Sequence, residues 1–168
     1  MKHLNEQQQA LWQRIQSFSL DAPNVALPFS ARLARENGWA TEFAVRSIHE
    51  YKKFCFLLCL SAQPLTPCDA VDQVWHLHLI YTQNYWVDWC TNTLNKNIHH
   101  HPTQGGTEES SKFKRWYEET LFQYQQTFEQ IPSPDIWLPT NQRFEEIQFQ
   151  RINLKQYWVI YKPKWWLF

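Results

Sequence analysis

Five of the chain's seven histidines fall between His76 and His101, and this crowding is the strongest chemical signal in the sequence. Neutral imidazole is the commonest side-chain metal ligand, and carboxylate and thiolate complete the usual donor sets. Asp72, His76, His78, His99, His100, His101 and Cys90 are therefore candidate ligands. Zinc is favoured over iron, because imidazole and thiolate donors suit it and nothing in the sequence demands redox chemistry. In a catalytic version, an open coordination position would activate water while a carboxylate takes the proton. Asp72 serves as either a ligand or that base, and Tyr81 or Tyr85 would orient a substrate. A metal-free version pairs Asp72 with His76 as a general-base dyad, so these two are the candidate catalytic residues.

Spacing restricts how the donors combine, since each residue of an α-helix advances about 100° around the axis. Asp72 and His76, four apart, share a face. His76 and His78, two apart, point roughly opposite ways, and both ligate one ion only if the helix is distorted or broken between them. In a regular helix Asp72 and His76 join a loop histidine, while His78 bonds elsewhere, to a tyrosine or a backbone carbonyl. The opposite assignment stays open at this level. A different class of reading treats the Asp–His contact as a structural clasp, a charge-assisted hydrogen bond locking helix to loop. The protein is then a non-enzymatic adaptor whose exposed aromatics, Trp165 and Trp166 first, engage a protein partner.

The segment bearing these residues reads as helical from Cys68 through Val71, Trp75, Leu79, Tyr85 and Trp86 to Cys90, with a bend part-way. The loop 95–106 comes next, holding the histidine run, Pro102 and the Gly105-Gly106 pair. Before it, Leu11, Trp12, Ile15 and Phe18 mark a first helix, and 30–37 a short one ended by Gly38. A long helix opens at Thr41 with Ala44, Ile48, Tyr51, Cys55 and Leu58 on one stripe. After the loop, Thr107 reads as an N-cap with Glu108 and Glu109 in the first turn, and the helix runs to Phe128 with Phe113, Tyr117, Leu121, Tyr124 and Phe128 on one side. Beyond Ile131 come three prolines and Trp137. Alternation at Ile147 and Phe149 and the β-formers 157–161 then suggest a terminal hairpin. The expected architecture is a mainly α, single-domain helical bundle over 1–168, with a helical body at 1–130 and an extended or β segment at 131–168 packed on it.

Sixteen basic residues balance sixteen acidic ones. There is no general positive field to bind nucleic acid, which leaves a small molecule or a protein as the expected partner. Ten Trp, seven Tyr and eleven Phe mean that much of the core is ring packing. The longest apolar block, 54–60, is far short of the roughly 18 residues a transmembrane helix needs. Residues 1–7 lack the apolar stretch of a secretory leader, and the expectation is a cytoplasmic protein. Cys55, Cys59, Cys68 and Cys90 show no CxxC spacing and are expected as reduced core thiols.

The block Val71-Asp72-Gln73-Val74-Trp75-His76-Leu77-His78-Leu79, followed by Tyr85, Cys90 and Ile98-His99-His100-His101-Pro102-Thr103-Gln104-Gly105-Gly106, resembles the glycine-rich-domain-containing-protein-like family. Plant and fungal members show a similar Trp-His-x-His block. Bacterial members are similar over most of the length, including Tyr51-Lys52-Lys53-Phe54 and Tyr157-Trp158. The resemblance implies Asp72, Trp75, His76, His78, Tyr85, Cys90 and His100 as the site positions, with His100 as the loop histidine. It brings no defined reaction with it. With three glycines in all, this chain would correspond to the N-terminal module alone.

Overall fold

A computed structural model describes residues 4–145, 152–153 and 155–160. Among them the chain is mainly helical and carries no strand: α1 (Glu6–Ser17), α2 (Phe29–Asn37), α3 (Thr41–Leu60), α4 (Asp69–Ile80), a π-helix (Asn84–Leu94), α5 (Thr107–Phe128) and the single turn α6 (Thr140–Arg143). The expected hairpin strand at 147–150 lies outside the described residues, as do Tyr161 and Trp165 to Phe168. Residues 157–160 are described and form no strand.

α3 is the axis of the assembly, and α1, α2, α4 and α5 all pack on it. Its expected stripe is buried at Ala44, Tyr51 and Cys55, but burial extends around the helix to Glu50, Lys53, Phe54, Phe56 and Leu57. The two charges survive in the interior because they answer each other. Lys53 Nζ donates to Glu50 Oε1 at 2.9 Å and to the Tyr124 hydroxyl at 2.6 Å, and Trp137 Nε1 donates to Glu50 Oε2 at 2.7 Å. A buried ion pair left with unfilled lone pairs would cost several kcal/mol, roughly, per ion.

Local signals set the helix ends. Asn5 and Gln8 form a reciprocal capping box at the start of α1, at 2.9 and 3.1 Å. Gly38 closes α2 in the left-handed region at φ 66°, where a β-carbon would be strained. α5 begins at Thr107, so Gly106 takes the cap position expected of Thr107. No side chain caps α5; the carboxylate of Glu109 in its first turn instead reaches back into the loop, to the Thr103 hydroxyl and the Gln104 and Gly105 amides. The Thr103 bond is the largest of the contacts that hold its carboxyl down to about 2. All four cysteines are free thiols, three buried and Cys59 partly so.

The expected bend after α4 is at Tyr81, and the turns beyond it are wound more widely than an α-helix. Two threonine hydroxyls reinforce the wide register, Thr91 donating to Trp86 O at 2.9 Å and Thr93 to Asp88 O at 2.7 Å, each five residues back. Asn95 ends it with φ 52°. Such widened turns are rare and recur at functional positions.

Candidate metal centre

α4 presents two faces with different fates. Its first-turn carboxylate Asp72 and the imidazole of His76 lie on the outer face, as the four-residue spacing requires. The loop 95–106 brings His100 onto the same face, where His100 Nε2 donates to Asp72 Oδ1 at 2.8 Å. The other carboxylate oxygen, Oδ2, lies 3.8 Å from His76 Nε2. The two imidazoles are tilted against each other with centroids 4.6 Å apart. One donor atom from each of Asp72, His76 and His100 lies within 4.8 Å of the others. A tetrahedral zinc with ligand bonds of about 2.0–2.1 Å needs donors roughly 3.4 Å apart. The three donor atoms, spread over up to 4.8 Å, would have to draw together by as much as about an ångström to hold such an ion.

The three donors are graded in exposure: the His100 side chain is 16% exposed, Asp72 20% and His76 49%. Two of the donors are therefore partly buried and the third stands half in solvent.

His78 does not belong to this group. It projects from the opposite face of α4 into the core and is fully buried. Tyr51 donates its hydroxyl to Nδ1 at 3.0 Å, and Nε2 donates to Asn84 Oδ1 at 2.8 Å. Phe29, Tyr51, Tyr85, Phe18 and Trp89 ring it. Desolvation pushes its proton affinity down to about 4, against a smaller opposing pull from Asn84, so the ring is neutral. Both nitrogens are spoken for, and the regular α4 helix removes the distortion that joint ligation with His76 requires. The expectation that His78 joins the metal set is thereby corrected: its ring serves the core through hydrogen bonds to Tyr51 and Asn84.

His99 and His101 are exposed, stacked on each other at 6.3 Å, with His99 also against Trp86 at 5.4 Å. Neither joins the group. Cys90 is buried beneath the loop beside the Tyr85 hydroxyl and the Ile98 backbone, and desolvation raises its thiol. Tyr81 packs on Phe29 and lies under the Arg32 guanidinium. Tyr85 is committed within the protein: Trp75 Nε1 donates to its hydroxyl at 2.8 Å, and the hydroxyl donates to Ile98 O at 2.5 Å. Of the two, Tyr85 has its hydroxyl fully engaged within the protein, while that of Tyr81 accepts from Arg32 at 3.5 Å.

Spacing does not point to Tyr51 or Asn84 as partners of His78, or to the indole N–H of Trp75. The only sequence signal for the first two is that a buried histidine needs two partners. Comparison of the chain with protein-family models, with curated proteins and with solved structures found no match.

Proposed function

We propose that Asp72, His76 and His100 bind one divalent metal ion, zinc in preference to iron, and that the protein is a metal-dependent enzyme acting through a metal-bound water. The observation that carries this reading is the convergence of three donors from two separate segments within 4.8 Å. The half-exposed His76 leaves the group reachable from solvent. A divalent ion held by Asp72, His76 and His100 would supply a water of lowered pKa there. Of the seven positions that the resemblance to the glycine-rich-domain-containing-protein-like family implies, Asp72, His76 and His100 form the group, which supports a shared site without naming a reaction.

Elemental analysis of untagged protein, purified without chelators, tests it. About one equivalent of zinc or iron is expected in the wild type and none in His76→Ala or His100→Ala. A wild type that stays metal-free even after reloading would overturn the reading. One observation favours a second reading, the clasp of an adaptor protein: His100 Nε2 donates to Asp72 Oδ1 at 2.8 Å, a hydrogen bond that joins the loop to α4. A metal-free wild type destabilised equally by Asp72→Asn and His100→Ala would select it.

A further inference from the structure

One buried hydroxyl ties together the two segments that supply the donors without touching any of them. Tyr85 is fully buried on the π-helix, and its partners Trp75, beside His76 on α4, and Ile98, two residues before His100, are buried with it. The Trp75 ring in turn meets His100 edge-on with centroids 4.6 Å apart. The loop has other anchors, Lys96 Nζ on Leu58 O at 2.7 Å and Glu109 at its far end, but they sit four or more residues from His100 on either side, or bind beyond it. Ile98 carries the nearest backbone restraints on the loop histidine, the Tyr85 hydroxyl on its carbonyl and the Cys90 sulfur beside its backbone.

We propose that Tyr85 is the positioning residue of this centre: its hydroxyl sets the height of Ile98 over α4, so that His100 arrives at Asp72 and against the Trp75 ring. The consequence for metal rests on the metal reading above; the consequence for His100 does not. The wide winding of the π-helix serves this arrangement. On that helix the adjacent Asn84 and Tyr85 face different partners, Asn84 facing His78 in the core and Tyr85 facing Trp75 and Ile98. Outer partners that orient metal ligands typically matter by about 10- to 100-fold in affinity.

The test is Tyr85→Phe, which keeps the ring and removes only the oxygen. In metal-free protein, the ring C–H signals of His100, assigned by their loss in His100→Ala, should move towards those of the exposed His99 and His101. His78, which meets the ring of residue 85 at 5.0 Å and not its hydroxyl, should keep its shifts and so certify the fold. Zinc affinity should fall about tenfold or more, and far less when Tyr85→Phe is placed on His100→Ala. Unmoved His100 signals, or an equal loss of affinity in both backgrounds, would overturn the inference. Displaced His100 signals with no zinc bound by the wild type would uphold the placement and sink the metal reading alone. If Tyr85→Phe loses the native His78 shifts as well, the same comparison is made in sucrose or TMAO, which favour the folded state; displaced His100 signals there support the inference, and unmoved signals contradict it.

Discussion

His76 and His78 stand two residues apart on one regular helix and live in opposite worlds. His78 is sealed among rings with a partner for each nitrogen. His76 is half in solvent, with its nearest partner at 3.8 Å. The inner face of α4 therefore commits its histidine to the fold, and the outer face keeps one in reserve. Identity of residue type says nothing about role here; the roughly 200° of rotation between the two positions decides it.

The contrast breaks most sharply under truncation. His78→Ala removes a buried ring and leaves the Tyr51 hydroxyl and Asn84 without partners, which should cost about 3 kcal/mol or more in urea denaturation. A loss under about 1 kcal/mol would mean the inner face is not structural in the way described.

Acid should sharpen the contrast next. The folded-state affinity of His78 for a proton lies at about 4, below the 6.5 of the free side chain. The unfolded chain binds the proton first. The stability that the neutral ring confers is whole above pH 6.5 and is lost as pH falls towards 4, by up to about 3 kcal/mol over that window. Denaturant midpoints measured from about pH 7.5 to about pH 4.5 in wild type and in His78→Phe should diverge, with the wild type falling more steeply. Parallel curves would show that other groups dominate.

His76→Ala is the smallest effect on the fold. An exposed ring without a hydrogen bond should shift stability by no more than about 0.5 kcal/mol, while abolishing whatever metal is bound. A large destabilisation would move His76 from the reserve to the framework.

The helical body is readable from sequence because its signals are local: apolar positions three and four apart and the Gly38 stop act within a few residues. The pairing of Asp72 with His76 comes from one turn of helix, and the resemblance singles out His100, the histidine of its run that reaches α4. The features hidden from sequence are set by distance or by register. The π-helix has no periodicity of its own that a window of about ten residues distinguishes from an α-helix. The burial of Glu50 and Lys53 depends on Tyr124 and Trp137, more than 70 residues away, so on α3 alone they look like solvent-facing charges. Sequence alone leaves His78 between two roles because its partners, Tyr51 and Asn84, come from α3 and from beyond the bend.

Three donors from two segments acting as one site is the central claim, and a calorimetric titration of zinc into metal-free protein tests it most directly. The titration is run at about pH 7.5, where imidazole is largely neutral, for the wild type and for Asp72→Asn, His76→Ala and His100→Ala. One equivalent should bind the wild type with release of protons, and each single substitution should weaken it by a hundredfold or more, roughly the loss expected when a ligand itself is removed. Binding that survives all three substitutions, or a wild type that takes up no zinc, would contradict it.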